Sequence, residues 1–110
     1  MAPFFLAAAV IVTPAFTHRL PPLHGDRLTA QVVEVTYAPG ASSRPHRHAC
    51  PVIVHVLSGA LRSRVQGQPE RVYPAGATFY EAPDVVHAVS ANASTTAPAH
   101  FTATFVCDRP

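Results

Sequence analysis

The chain has 110 residues, enough for one small domain with a single core and too few for two ordinary ones. Hydrophobic residues make up 48% of the sequence and charged residues 13%, which excludes an intrinsically disordered chain. The formal net charge is +2, and the basic residues are arginines scattered along the sequence, so no basic patch supports nucleic-acid binding.

The N-terminus carries a short apolar run at residues 4–12. A membrane-spanning helix needs roughly 20 such residues, so no stable membrane span is expected. We interpret residues 1–15 as a secretory signal peptide cleaved after Ala15, although no basic residue precedes the apolar run. This places the protein in the periplasm or outside the cell, and without a signal peptide it would be cytoplasmic. The alternatives are a misassigned start codon and a first apolar strand that packs on the domain.

The remaining sequence predicts an arm followed by an all-β domain. Residues 16–28 are rich in proline and polar residues and show no period, so they form a linker or an N-terminal arm. Residues 29–108 alternate between apolar and polar side chains over short stretches that glycine and proline turns separate. The pattern predicts one strand ending at Tyr37 and six more at about 52–57, 60–66, 71–73, 78–81, 87–91 and 100–106. Such strands favour a sandwich or a barrel, because closure removes exposed edges.

Cys50 and Cys107 are the only two cysteines. In an exported protein they could form a disulfide bond. Their separation along the chain does not show how close they lie, and we favour two independent buried thiols. A third alternative, which we favour least, is Cys50 as a soft metal ligand next to His48.

His46 and His48 lie one residue apart, just before an apolar run that ends at Gly59. On a strand, residues two apart project to the same face, so the two imidazoles could hold one metal ion. Iron, manganese, nickel, copper and zinc all accept neutral imidazole. A His-x-His pair alone is more often a pair of surface residues, so the surrounding sequence must decide.

The segments YAPGASSRPHRHACPVIVHVLSGALR and YPAGATFYEAPDVVHAVSANAS resemble the two motifs of the cupin superfamily. The counterparts in the first motif are Gly40, His46, His48 and Gly59, and those in the second are Pro83, His87 and, one residue displaced, Asn92. The resemblance implies a small single-domain cupin with a jelly-roll β-barrel over residues 29–108, and a homodimer as its assembly. Asn92, Ala93 and Ser94 also match the N-glycosylation acceptor pattern.

The sequence departs from the cupin pattern at two positions. Val52 stands where many cupins place a metal-binding glutamate, and valine cannot ligate a metal. Asp84 stands at the glycine of the second motif, and aspartate is among the better substitutes for glycine in a turn. The first departure puts the usual four-ligand centre in doubt, and the second affects only local geometry.

The resemblance implies His46, His48 and His87 as ligands of a divalent transition metal, because several cupin dioxygenases hold iron with three imidazoles. Glu81 is the candidate fourth ligand, since it shares a strand face with Phe79, which is expected in the core. A carboxylate inside an apolar barrel needs a partner, and a metal ion or its bound water would provide one. The alternative is a solvent-exposed Glu81 at the rim of the barrel.

Three functions are compatible with these residues. The first is a metal-dependent enzyme of the dioxygenase type that acts on a small-molecule substrate. The second is a non-catalytic cupin that binds a small ligand, with or without a metal. The third is a structural barrel whose histidines are vestigial. We favour metal binding, and the fold alone does not decide between the first two functions.

Overall fold

The computed structural model describes residues 4–7 and 9–108, and these contain nine β-strands and no helix. The strands are β1 (Phe4–Ala7), β2 (Val10–Val12), β3 (Thr29–Tyr37), β4 (Val52–Ser58), β5 (Ala60–Val65), β6 (Arg71–Pro74), β7 (Thr78–Glu81), β8 (His87–Asn92) and β9 (Ala99–Cys107). Each of the seven strands predicted after residue 28 is present. For the six strands of which both ends were predicted, each end differs from the observed one by one residue at most. The all-β prediction is therefore confirmed.

Two antiparallel sheets face each other and form a small jelly-roll β-barrel. One sheet has the strand order β3-β9-β4-β7, and the other has the order β6-β5-β8. Alternate residues of each strand point inward, so the period-two pattern in the sequence becomes the core. The buried core residues are Val52, Val54, Val56, Leu61, Phe79, Ala99, Phe101 and Ala103.

Two turns depend on left-handed backbone angles. Gly59 joins β4 to β5 at a φ of 73°, and a Cβ at this position would lie 2.5 Å from the carbonyl oxygen of Pro98. Asp84 has a φ of 65° in the turn before β8. This confirms that aspartate takes the turn conformation for which the second motif normally uses glycine.

Cys50 and Cys107 form a disulfide bond, so the expectation of two independent thiols is wrong, and Cys50 is not a metal ligand. The strand register explains the pairing. Val52 on β4 lies opposite Phe105 on β9, and the Val106 amide donates to the Pro51 carbonyl at 3.0 Å. Continuing this antiparallel register by two residues places the two cysteines opposite each other, with their Cα atoms 5.1 Å apart.

The N-terminal residues lie outside both sheets of the barrel. β1 and β2 pair with each other in a sheet of their own. Residues 1–3 and 8 of the predicted signal peptide lie outside the described residues. The signal peptide therefore stays a prediction. The arm at residues 16–28 contacts the barrel: the His18 ring stacks on Tyr80 at 3.7 Å, and the His24 amide donates to Asp108 Oδ2 at 3.1 Å. Within the described part of the chain, no helix has the length and hydropathy needed to cross a membrane.

Candidate metal centre

Residues 41–50, which carry the first histidine pair, lie between β3 and β4 and form no regular strand, in agreement with the predicted strands. They run beside β8 and pair with it only through isolated bridges, one of which joins His46 to His87. In this bridge the His87 amide donates to the His46 carbonyl at 2.7 Å, and the His46 amide donates to the His87 carbonyl at 3.2 Å. The Asp84 amide also donates to the His48 carbonyl at 2.7 Å. These backbone bonds bring the two motifs together at one end of the barrel.

The three predicted histidines form a cluster. The centroid of the His46 ring lies 4.9 Å from that of His48 and 5.4 Å from that of His87, and the His48 and His87 centroids are 5.6 Å apart. His46 Nδ1 lies 2.7 Å from the Arg44 carbonyl oxygen. A carbonyl only accepts, so Nδ1 carries the proton and Nε2 keeps the lone pair with which a histidine binds a metal. The Arg44 carbonyl therefore holds His46 in a metal-binding tautomer, a role that no side-chain pattern could have indicated.

His87 is the most buried member of the cluster, with 1% of its side chain exposed. Neither ring nitrogen has a hydrogen-bond partner among the described residues, although Nδ1 lies 3.3 Å from Glu81 Oε2. Burial, followed by the nearby His46 and His48, lowers the pKa of His87 to about 4. A neutral imidazole with two unsatisfied nitrogens is costly to bury unless a ligand engages it.

Glu81 points into the barrel, which decides between the two alternatives left open for it. On β7 it lies opposite Val52 of β4, and its side chain is 11% exposed. Glu81 Oε1 lies 4.0 Å from His48 Nε2. Burial raises the pKa of Glu81 to about 7, with the nearby His46 opposing that shift. Burial also lowers the pKa of His48, and His46 adds to the decrease.

The donor atoms present fit a transition metal. One ligand atom each from His48, Glu81 and His87 can be chosen so that all three lie within 4.8 Å of one another. His46 is not in this closest group, but its ring adjoins the other two imidazoles. Imidazole nitrogen with one carboxylate oxygen suits iron, manganese, nickel, copper and zinc. The orphaned nitrogens of His87 are the observation that favours a metal over a hydrogen-bonded polar cluster.

Two cavities meet at this cluster. The apolar cavity, about 130 Å³, is lined by His46, His48 and Glu81 and by apolar side chains that include Val33, Val54 and Phe101. The polar cavity, about 90 Å³, is lined by polar and aromatic side chains that include Ser63, Gln68, Arg71, Tyr73, Glu81 and His87. Glu81 lines both cavities, whereas His87 lines only the polar cavity. No local sequence pattern indicates the polar cavity, because its walls come from strands in different sheets.

Two further polar side chains, those of His55 and Asn92, have structural contacts. His55 is hydrogen-bonded to the Thr78 hydroxyl at 2.7 Å, away from the centre. The buried Asn92 of the second motif donates through its amide to the carbonyls of Tyr37, Ala38 and Ala97, and its Oδ1 accepts from the Ser94 amide. All the donor capacity of this side-chain nitrogen is used by hydrogen bonds. In the folded protein Asn92 therefore has a structural role, although it matches the glycosylation pattern.

Known proteins agree with this architecture. A structure of oxalate oxidase in complex with the substrate analogue glycolate is 27% identical, with a TM-score of 0.64, and the match covers 74% of this chain and 43% of that one. A cupin-like protein from Thermotoga maritima is 26% identical, with a TM-score of 0.63 and coverage of 69% and 56%. YhaK from Escherichia coli, 19% identical with a TM-score of 0.66 and coverage of 86% and 43%, shares the fold.

The chain thus spans less than half the length of the oxalate oxidase that it matches. No curated protein matches it in sequence. The family model described as the cupin domain matches residues 33–105, which is most of the chain and contains both histidine motifs. The protein therefore belongs to the cupin family.

Proposed function

We propose that the protein is a metal-dependent cupin enzyme that acts on a small molecule inside the barrel. His46, His48, His87 and Glu81 would hold a divalent transition metal ion. The observation that carries this proposal is the deeply buried His87, whose unpartnered nitrogens lie beside a buried carboxylate and two further imidazoles. A purely structural barrel would gain stability from apolar side chains at these positions, so the vestigial alternative does not account for the cluster.

A metal ion held by these residues would supply Lewis-acid chemistry for substrate oxygens and, where it is redox-active, electron transfer with O2. The chain's own residues prepare the surroundings. The Arg44 carbonyl orients His46, as metal-binding histidines are commonly oriented by a partner of their second nitrogen. The apolar side chains around His46, His48 and Glu81 keep bulk water away from the centre. Glu81, with a pKa near neutrality, is suited to hold or accept a proton when it is not ligating the metal.

We favour an oxygenase or oxidase as the reaction class. The support is the similarity to oxalate oxidase, which is described with a bound substrate analogue, glycolate. The three-imidazole arrangement that the cupin resemblance implies is compatible with such chemistry. Redox activity requires iron, manganese or copper, whereas zinc would restrict the site to Lewis-acid chemistry.

The second candidate is a cupin that binds a small ligand without turnover. The apolar cavity favours this alternative, because its valine and phenylalanine side chains suit a small apolar ligand that needs no metal. The two candidates differ in one measurement. An oxygenase consumes O2 in the presence of its substrate only when loaded with metal, whereas a binding module consumes none.

The metal site is tested by elemental analysis of purified wild type beside a His46→Ala, His48→Ala double variant. We expect close to one metal ion per chain in the wild type and almost none in the double variant. The matched control is His24→Ala, which removes an exposed histidine of the arm and should leave the metal content unchanged. Metal retained by the folded double variant would overturn the site assignment.

We also propose a homodimer. β3 lies at the edge of the four-stranded sheet, and its Val32 is 63% exposed. An unpaired edge strand with an exposed apolar side chain favours association with a second copy. Light scattering at micromolar concentration should give the mass of a dimer, and a monomer would contradict the proposal.

Export is the third part of the proposal. The disulfide bond between Cys50 and Cys107 supports it, because such bonds persist mainly in oxidising compartments. Mass spectrometry of the protein from its native host should show a mature chain that begins near Phe16. A mature protein that retains residues 1–12 would contradict export through a cleaved signal peptide.

A further inference from the structure

We propose that the polar cavity binds the anionic end of the substrate and that the guanidinium of Arg71 is its charge partner. This deepens the proposed function and rests on it, since the substrate would reach the metal centre from this cavity. The substrate class is then small carboxylates. Three features support it: the register of β5 and β6, the unpaired charge of Arg71 and the position of His87.

The strand register directs Arg71 toward the barrel interior. On the sheet formed by β6, β5 and β8, Leu61 lies opposite Tyr73 and Ser63 lies opposite Arg71. Leu61 is buried in the core, and residues two apart on a strand share a face, so Ser63, Tyr73 and Arg71 face inward with it. Arg71 is the first residue of β6 and is exposed, which places its side chain at the entrance of the polar cavity.

Arg71 is also a cation without a fixed partner. Arg62, its neighbour on β5, forms an ion pair with Glu70 at 3.0 Å. Arg71 forms no ion pair or side-chain hydrogen bond with any other described residue. Glu81 lines the same cavity, but its two oxygens lie nearest His48 and His87. A guanidinium at the mouth of a polar cavity is well suited to bind a carboxylate through two parallel hydrogen bonds.

The polar cavity connects this cation to the candidate centre. His87, with its two unpartnered nitrogens, lines the polar cavity and not the apolar one. Ser63 and Gln68 add hydroxyl and amide groups to its wall. A volume of about 90 Å³ suits a molecule of only a few non-hydrogen atoms. Such a molecule could hold one end at Arg71 and present a second oxygen to the centre.

The test measures glycolate binding to metal-loaded protein by calorimetry, with ethylene glycol as an uncharged probe of the same size. We compare wild type with Arg71→Gln, which removes the charge, and Arg71→Lys, which keeps the charge and removes the planar fork. The matched control is Arg64→Gln, because Arg64 has the opposite parity to Ser63 on β5 and its loss changes the net charge by the same amount.

We expect Arg71→Gln to weaken glycolate binding by about tenfold or more, as for the loss of a charged hydrogen-bond partner, with Arg71→Lys in between. Arg64→Gln should bind glycolate like the wild type, and ethylene glycol should bind all four proteins equally weakly. Wild-type affinity for glycolate in Arg71→Gln, or no glycolate binding by metal-loaded wild type, would overturn the proposal.

Metal content, measured on the same samples, separates the two proposals. Arg71 is not a candidate ligand, so all four proteins should contain the same amount of metal. A wild type that binds no metal would overturn the proposed function. An Arg71→Gln variant with full metal content and unchanged glycolate affinity would overturn only the assignment of the polar cavity.

Discussion

Removing the disulfide bond should lower the stability of the barrel by a large fraction of the total. The bond joins residues separated by 57 positions in the chain. In the chain-entropy model, a closed loop of that length reduces the entropy of the unfolded state by about 14 cal/mol/K, which is about 4 kcal/mol at 25 °C. A domain of this size is stable by only about 5 to 15 kcal/mol. A Cys50→Ser, Cys107→Ser double variant should therefore lose between about a quarter and most of the folding free energy at 25 °C.

The same change should weaken metal binding. His48 lies two residues before Cys50, in a segment that joins β8 only through isolated bridges. One backbone hydrogen bond, from the Asp84 amide, holds His48 itself, and the disulfide bond fixes the chain two residues later, so without the covalent link His48 loses part of its fixed position. We expect the metal affinity of the folded double variant to fall by about tenfold or more, as for the loss of groups that orient a ligand.

Urea unfolding followed by circular dichroism measures the first effect on metal-free protein, and competition with a chelator measures the second. The double variant is preferable to a reducing agent in the metal assay, because thiols and phosphines bind metals themselves. As a control, a reducing agent should lower the stability of the wild type and leave that of the double variant unchanged. A change in unfolding free energy below about 1 kcal/mol would refute the loop-entropy reasoning.

Three further predictions concern individual side chains. Glu81→Gln should lower metal affinity by at least about tenfold. Adding Val52→Glu should restore part of the loss, because the two positions lie opposite each other on adjacent strands. Equal metal affinity in wild type, both single variants and the double variant would reject Glu81 as a ligand. In metal-free protein, the folded Glu81 carboxyl stays protonated up to a pKa of about 7 against 4.5 when unfolded. The unfolding free energy of wild type relative to that of Glu81→Gln should thus decline as the pH rises from 4.5 to about 7. Urea titrations that show a constant difference in unfolding free energy across this range would contradict the raised pKa of Glu81. Asn92→Ala should cost about 1 to 3 kcal/mol of unfolding free energy, because the buried side chain gives up its hydrogen bonds to three carbonyls and one amide, and Asn92→Asp should not rescue it, since a carboxylate cannot donate.

The sequence was sufficient to predict the strands because their determinants are local. Alternating side chains define β3 through β9, and the turns between them carry glycine, proline or aspartate with the required backbone freedom. The two histidine motifs were equally readable, since the residues of each motif lie close together in the chain. The strands β3 through β9 and the motif histidines could therefore be placed, to within about one residue, without knowing which strand pairs with which.

The remaining features depend on strand register between distant segments, which no local pattern encodes. The disulfide bond follows from the pairing of β4 with β9, and the inward position of Glu81 follows from its place opposite Val52. The polar cavity needs side chains from four strands, β5, β6, β7 and β8, which belong to two sheets. The tautomer of His46 depends on the backbone carbonyl of residue 44. Any side chain at that position would leave this carbonyl in place, so the residue type gives no signal.

The Glu81 carboxylate stands on a different strand from the glutamate that many cupins carry at the position of Val52, and this changes which cavities it lines. A glutamate at residue 52 would stand on the inner strand β4, where Val52 lines only the apolar cavity. Glu81 stands on β7, the edge strand, and lines both cavities. Moving the carboxylate by one strand thus keeps the donor type and places the carboxylate in the wall of both cavities. It follows that a Val52→Glu, Glu81→Gln protein should recover metal without the proton acceptor that Glu81 provides, so elemental analysis should show restored metal content while O2 consumption stays low.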